Sequence, residues 1–258
     1  MKPAVRNILT LGAVLLLAAL YVVVLTAERR AQRARACQGL KVNIADSARL
    51  SFVSGEDIEK YMQDYGPYVG KLVDQMDLQQ IESIMAGKSA IFGCEAYLDR
   101  DGYLNIEVQQ REPAIRFQKG EQGFYADEKG FIFPLQTSYT SRVPIIDGAI
   151  PLNAGGDFKG KPGTEKEQQW LERIIALVAY MQNSGWSKRI SQVTVQKDGN
   201  LVMVPAEGKE KFIFGAPSGI EAKFGRIKTY YEAVVPSLEK VSYSQVDVRF
   251  DKQIICKK

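Results

Sequence analysis

The feature that most constrains the fold of this chain is an apolar run close to its N terminus. Residues 8–25 read ILTLGAVLLLAALYVVVL and contain no charged side chain. At about 1.5 Å per residue, a helix of this length spans about 27 Å, close to the roughly 30 Å hydrocarbon thickness of a bilayer. The run therefore predicts a single membrane-spanning helix, with Tyr21 suited to an interface. Its predicted anchor residues are Ile8, Leu16, Tyr21 and Leu25.

A cleaved signal peptide is the alternative to a membrane anchor. The apolar region of a signal peptide is normally about 7–15 residues long, and a small-residue cleavage site follows it closely. Here the run is longer, and the A-x-A pattern in ARAC (residues 34–37) lies well beyond its end and contains arginine. We therefore expect a retained helix, preceded by a short tail (1–7), cytoplasmic in the orientation that the family resemblance given below implies, and followed by a basic juxtamembrane segment (26–39).

The charges that flank the apolar run favour one orientation in the membrane. Four arginines occur in residues 29–35, whereas only Lys2 and Arg6 precede the run. Read literally, the positive-inside rule places the C-terminal side of the helix in the cytoplasm. Charge alone therefore conflicts with the orientation that the family resemblance given below implies.

Composition excludes several classes of function. Histidine is absent, which rules out Ser-His-Asp and Cys-His catalysis and HExxH zinc sites. The net charge of +4 and the isoelectric point near 8.8 are only mildly basic and do not indicate a nucleic-acid partner. The three cysteines, Cys37, Cys94 and Cys256, are too dispersed for a zinc site. Their pattern allows one disulfide with an odd thiol, but Cys94 is more typical of a small core residue.

Residues 40–112 form a first block with the element order β-α-α-β-β. The segment LKVNIAD alternates as a strand, and the next helix begins with the capping pattern Ser54 to Asp57 and ends before Pro67. A second helix, DLQQIESIMAGK, precedes a hairpin that turns at Asp99–Gly102. A block of this size is typical of a binding module rather than of an enzyme with an internal site.

Pro113 marks the start of a second, strand-rich block, residues 113–258, because proline interrupts a strand ladder. Several hairpins alternate with a helix from about Thr164 to Asn183 and with another that stops at Pro236. This pattern predicts an antiparallel sheet with packed helices. The fold class predicted for the whole chain is α+β, with one N-terminal transmembrane helix, the β-α-α-β-β block and this β domain.

No motif in the chain predicts catalysis, a cofactor or a metal. The stretch GGDFKGKP (155–162) approaches a phosphate-binding loop, but Pro162 replaces the Ser/Thr hydroxyl and lacks a backbone N–H. We therefore expect no catalytic residue, no small-molecule substrate and no nucleic acid. Two acid pairs instead begin Asp-x-x-Gly turns: Asp99 with Asp101, and Asp127 with Glu128.

The C-terminal stretch SYSQVDVRFDKQIICKK predicts a last strand with one buried face. A period of two places the residues Val246, Val248, Phe250, Ile254 and Cys256 on that face. A last strand is often a sheet edge, and an exposed edge offers backbone donors and acceptors to another chain. The alternative, equally compatible with the sequence, is that lysines 252, 257 and 258 only protect the edge.

Three stretches of the sequence match motifs of a known family. QQREPAIRF stands at the join of the two blocks, GFYADEKGFIFPLQTSYTSRVPIIDG opens the second block, and QVDVRFDKQIICK ends it. Together with the apolar run and the order of the blocks, they resemble the FtsQ/DivIB family of bacterial cell-division proteins. The first block (40–112) then resembles a POTRA domain, and the second (113–258) the β domain of the family.

The resemblance implies a non-enzymatic scaffold of the division machinery, with its N terminus in the cytoplasm and its bulk in the periplasm, at the division septum. Members bind membrane-anchored partners of the FtsB/FtsL type and help to control septal peptidoglycan synthesis. In the family, the partner adds a strand to the end of the β-domain sheet. The partner-binding residues implied here are Val248, Arg249, Phe250, Asp251, Lys252, Gln253 and Ile254, with Arg249 facing outward and Phe250 facing the packed side. Where members usually carry tyrosine, Phe250 lacks the hydroxyl.

A second hypothesis belongs to another class, the POTRA proteins of secretion or outer-membrane assembly, which bind client polypeptides. Such proteins often contain several POTRA units or a barrel, whereas this sequence predicts a single unit. A third hypothesis, an enzyme acting on peptidoglycan, is disfavoured because histidine and any converging catalytic motif are lacking.

Overall fold

The computed structural model describes residues 12, 14–27, 35–238 and 243–258. Residues 14–27 form helix α1, which contains Leu16, Tyr21 and Leu25, whereas Ile8 lies outside the described residues. Among the residues that are described, no helix is long and apolar enough to cross a membrane. The anchor at residues 8–25 stays a prediction, because part of that run lies outside the described residues.

The chain divides into two compact units. The first unit comprises Met1–Arg49 and Val53–Gln110, and the second comprises Leu50–Phe52 and Arg111–Lys258. The predicted boundary at residue 112 stays a prediction, and each unit is described separately.

The first unit has the predicted β-α-α-β-β order. Its three-stranded sheet has the order β1-β3-β2, with β1 parallel and β2 antiparallel to β3. Apolar residues on one face of the sheet and on both helices are buried in its core, among them Ile58, Ile81, Met85, Leu104 and Ile106. The elements are β1 (Gly39–Ile44), α2 (Gly55–Tyr61), α3 (Leu78–Ala86), β2 (Ile91–Leu98) and β3 (Tyr103–Gln110).

Local capping signals determine where these elements begin and turn. Before α2, the side chain of Ser54 accepts a hydrogen bond from the N–H of Asp57, whose carboxylate accepts one from the N–H of Ser54. Between β2 and β3, the carboxylate of Asp99 accepts bonds from the N–H groups of Asp101 and Tyr103. The Lys41 ammonium first, and then the N–H of Tyr103, hold the pKa of Asp99 well below its ordinary value. The predicted turn is confirmed, and Asp99 is a structural residue in it.

The second unit is a nine-stranded sheet with helices. The sheet order is β12-β11-β10-β9-β8-β7-β4-β5-β6. Its elements are β4 (Ile115–Lys119), β5 (Gln122–Ala126), β6 (Ile132–Pro134), β7 (Ile145–Gly148), α4 (Glu165–Asn183), β8 (Ile190–Val195), β9 (Leu201–Pro205), β10 (Lys211–Gly215), α5 (Ile220–Thr229), a π-helical turn (Tyr230–Val234), β11 (Gln245–Asp247) and β12 (Ile255–Lys257).

The prediction that this sheet is antiparallel is wrong in part. Three neighbouring pairs are parallel: β4 with β7, β7 with β8, and β10 with β11. The helices α4 and α5 lie in the connections from β7 to β8 and from β10 to β11. Parallel neighbours need such crossovers, whereas a tight turn joins only antiparallel strands. The sheet is therefore mixed, although the α+β class is correct.

A continuous row of buried side chains forms the centre of the core. One residue of each neighbouring strand occupies the row, and each is in register with the next. With side chains of α4 and α5, the row forms a single apolar cluster. Its members in spatial order are Phe124, Phe117, Ile146, Val193, Met203, Phe212 and Val246, all at most 5% exposed.

Candidate functional site

The nine-stranded sheet has two ends, and the end at β6 is closed. Pro134 in β6 has no backbone N–H to offer. Ile132 exchanges both backbone hydrogen bonds with Gly160, its N–H donating at 2.8 Å and its carbonyl accepting at 2.9 Å. Gly160 belongs to the stretch that resembles a phosphate-binding loop, so that loop protects the edge of the sheet.

The end at β12 is open among the described residues. β12 pairs with β11 through three residue pairs, and no described strand lies on its other side. Ile255 is 47% exposed on this strand. An unpaired strand of this kind leaves backbone donors and acceptors available to another chain.

The buried row of the core also ends at β12. Val246 is fully buried, and its neighbour in register, Cys256, is only half-buried. The next position of the row, beside Cys256, has no described strand to fill it. Burial raises the pKa of the Cys256 thiol. The apolar layer thus reaches the surface at the strand whose edge is open.

The sequence predicted one continuous last strand, and this prediction is wrong. β11 ends at Asp247, residues 248–254 form a bend and a turn, and the chain returns antiparallel as β12. Val246 and Val248 are buried as predicted, but Phe250 is 42% exposed instead of facing the packed side. The alternation fails because the chain leaves the sheet after Val248, through a turn in which Lys252 has a φ of 61°. Without glycine or proline, residues 248–254 gave no turn signal.

The predicted partner-binding residues, 248–254, therefore lie beside the open edge rather than within it. Arg249 is exposed as predicted, and its guanidinium is bound to Asp247, with Nη2 2.6 Å from Oδ2 and Nε 3.0 Å from Oδ1. Burial disfavours the charge on Asp247, but the bonds from Arg249 outweigh it, so the pKa of Asp247 lies below its ordinary value. The guanidinium of Arg249 is thus already engaged by a carboxylate of the same chain.

Gly215, at the end of β10, makes room for Arg249. Its φ is +76°, and a Cβ at this position would lie 2.8 Å from both Cγ and Cδ of Arg249. Any other residue would therefore displace the arginine and adopt an unfavourable backbone conformation.

Sequence reasoning missed one residue of this region, Arg226 on α5. Its Nε donates to the carbonyl of Val248 at 2.8 Å, and the Arg226 side chain is 15% exposed. No sequence signal identifies it, because a basic residue on a helix is normally a solvated one and the contact spans 22 residues.

The face of the sheet opposite the buried row contributes a shallow, open depression of about 830 Å³ beside this edge. The side chains that line it are mostly polar and come from strands β8 to β12 and from the turns that join β8 to β9 and β11 to β12. A solvated face is usual for a sheet that is covered by helices on one side only. Its lining includes Gln192, Thr194, Gln245, Asp247, Arg249 and Lys257.

The remaining candidate sites are structural. Asp127 begins the predicted turn, since the N–H of Gly130 donates to its carbonyl at 3.1 Å, and Glu128 beside it is exposed. Cys37, Cys94 and Cys256 are free thiols. Within the described part of the chain, no group of three or more potential ligands is arranged to hold a metal ion.

Comparison with known proteins gives two matches. A family model described as FtsQ/DivIB, C-terminal related, matches residues 112–257, more than half of the chain. A model described as a POTRA-like domain matches residues 35–109. The search of curated proteins found no match.

Proposed function

The chain belongs to the FtsQ/DivIB family, as its sequence motifs predicted, and on this basis we propose that it binds partners of the FtsB/FtsL type by strand addition at β12. The family is one of non-catalytic cell-division scaffolds, so a role in the division machinery follows from membership. We propose further that this chain has no enzymatic activity and acts through the partners that it recruits. Through them it helps to control septal peptidoglycan synthesis.

One observation carries this proposal: in the part of the chain that the structure describes, β12 is an open edge at the point where the buried row of the core reaches the surface. A partner strand at β12 satisfies backbone groups that otherwise bind water, and its inward side chains cover Cys256. The opposite end of the sheet supports the choice of β12, because Pro134 and Gly160 close it. Strand addition of this kind gives affinity through backbone bonds and specificity through alternate side chains.

Residues 248–254 are the proposed flank of the partner site. The ring of Phe250 is exposed and offers an apolar contact beside the new strand. The guanidinium of Arg249 can bind an acidic side chain of the partner while it also binds Asp247. Backbone pairing at residues 255–257 is the central contact in this proposal.

The proposed location is the cytoplasmic membrane at the septum, with the N terminus in the cytoplasm and both units in the periplasm. The apolar run at residues 8–25 supports this proposal, because its length and lack of charge suit a bilayer. Family membership supports a membrane protein of the division site.

The proposal is tested by two matched isoleucine substitutions. Ile255 in β12 and Ile145 in the interior strand β7 are 47% and 52% exposed. Ile255→Asp places a charge where the partner strand adds, and we expect capture of the co-expressed FtsB/FtsL-type partners by the full chain to fall about tenfold or more. Ile145→Asp, the control, is expected to leave capture unchanged. Equal capture by both variants would show that β12 is not the binding edge.

The match to a POTRA-like domain favours a second candidate, the binding of client polypeptides by the first unit. This function predicts capture of extended polypeptides that does not respond to Ile255→Asp. Measuring both kinds of capture in the same variant separates the two functions.

A further inference from the structure

We propose that Arg226 is a positioning residue for the partner-binding edge, because its guanidinium holds the turn that returns the chain as β12. The inference rests on the proposed function, since it assumes that the partner strand adds at β12. Arg226 is 22 residues before the turn and lies on α5, so the inference couples a helix to the edge of the sheet.

The guanidinium of Arg226 reaches two residues of the turn. Nε donates to the carbonyl of Val248 at 2.8 Å, and Nη1 lies 3.4 Å from Oδ1 of Asp251. The Arg226 side chain is 15% exposed, whereas that of Asp251 is 93% exposed. The contact with the carbonyl is therefore the stronger one, because an ion pair in water contributes little and a charged donor to a shielded carbonyl contributes more.

Val248 is the point at which the chain leaves the sheet. Its N–H still donates to the carbonyl of Ile213 in β10 at 3.1 Å, and its side chain is fully buried. Its carbonyl is bound by Arg226 rather than by a neighbouring strand. The bond from α5 therefore replaces the next bond of the ladder and sets the direction in which the turn departs.

β12 depends on this turn, because β12 itself is held weakly. It pairs with β11 over three residue pairs only, and its outer side has no described strand. The turn contains Lys252 at a φ of 61°, a backbone conformation that residues other than glycine adopt infrequently. A short edge strand with such a turn opens easily unless contacts from elsewhere hold it.

The turn is held on both sides of the sheet. On the open face, the guanidinium of Arg249 is bound by Asp247, whose Oδ1 also accepts from the N–H of Arg249. On the helix side, Arg226 donates the one hydrogen bond that links α5 to Val248 among the residues that the structure describes. Removing Arg226 should thus release the register of β12 while the buried row of the core stays intact.

Hydrogen–deuterium exchange on the full chain in detergent tests the inference without a partner. Arg226→Met retains an apolar stem and removes the guanidinium, and we expect exchange in peptides covering residues 245–257 to accelerate about tenfold. Peptides from α4 should exchange as in the wild type. Lys228→Met is the matched control, because Lys228 is on the same helix, is 65% exposed and pairs with the equally exposed Glu232.

Two further variants separate the contacts of Arg226. Asp251→Asn is expected to exchange like the wild type, because the Asp251 carboxylate is solvated. Arg226→Lys keeps the charge and the packing but lacks the planar guanidinium, so we expect a smaller acceleration confined to residues 245–257. If Arg226→Lys exchanged at the wild-type rate at residues 245–257, the role given to the guanidinium would be overturned. This comparison remains decisive if Arg226→Met fails to fold.

Partner capture completes the test. With FtsB/FtsL-type partners, Arg226→Met should lower capture about tenfold and Lys228→Met should not. Unchanged exchange at residues 245–257 overturns the inference whatever the capture result, and so does faster exchange with full capture. If the wild-type chain captures no partner, the proposed function fails. The exchange data are obtained without a partner, so they still show whether Arg226 holds the turn.

Discussion

The Asp127 carboxylate organises the hairpin in which it lies. Its Oδ1 accepts bonds from the N–H groups of Lys129 and Phe131 at 2.9 and 2.8 Å, and its Oδ2 accepts one from Nη1 of Arg111 at 2.7 Å. Both side chains of this ion pair are buried. The Arg111 guanidinium also lies 3.8 Å from the centroid of the Phe131 ring. Asp127, an acidic residue in an aromatic stretch, is thus a structural residue whose carboxylate accepts hydrogen bonds from three donor groups.

Asp127→Ala is expected to lower the free energy of unfolding of the second unit by about 3 kcal/mol or more. The reason is that the substitution breaks a buried ion pair and removes the acceptor for the N–H groups of Lys129 and Phe131. Chemical denaturation measures the change. The adjacent Glu128→Ala is the control, and because Glu128 is exposed its effect should stay within about 0.5 kcal/mol. Equal effects of the two substitutions would contradict the role given to Asp127.

At the scale of the element, the N terminus of α4 links the helix to the preceding loop. The side chain of Thr164 accepts from the N–H of Glu167, and the Glu167 carboxylate accepts from the N–H of Thr164. The same carboxylate accepts from the N–H of Asn153 at 2.6 Å. The bonds that the Glu167 carboxylate accepts, first from Asn153 and then from the hydroxyl and the N–H of Thr164, lower the pKa of Glu167. Glu167 therefore stabilises the helix and the loop that leads into it.

Thr164→Ala should destabilise the second unit by about 1 kcal/mol, because it removes a helix cap. Glu167→Ala should cost more, since it also removes the acceptor for Asn153. Thermal or chemical unfolding of both variants checks the order of the effects. Glu172→Ala, an exposed substitution in the middle of the same helix, provides the control. A cost for Glu172→Ala as large as that for Glu167→Ala would rule out the capping argument.

At the scale of the whole molecule, the proposed function requires both units to lie outside the cytoplasm. The arginines at residues 29–35 favour the opposite orientation. The proposed function and the positive-inside rule therefore predict different locations for the C terminus. We expect a C-terminal fusion of the full chain to a reporter that matures only in the periplasm to be active. A fusion to a reporter that is active only in the cytoplasm should be inactive. Cytoplasmic activity would overturn the proposed function.

The sequence by itself determined the elements whose signals are local. Asp-x-x-Gly predicted both turns, Ser54 with Asp57 predicted the start of α2, and the period of two predicted the burial of Val246 and Val248. In each case the residues that specify the feature are within a few positions of those that adopt it. The family motifs, which are also short stretches, identified the family correctly.

Only the tertiary structure decided the order of the strands, which of them run parallel, and the return of the last segment as a separate strand. These features depend on bonds between residues far apart in the chain, such as Arg226 with Val248 and Ile132 with Gly160. Alternation continues through residues 248–254 because it records which side chains are apolar and not where the backbone turns. Among the described residues, β12 becomes the edge strand because the chain turns back after Val248, whose carbonyl is bound by Arg226 of α5. A periodic pattern carries no information about a contact 22 residues away.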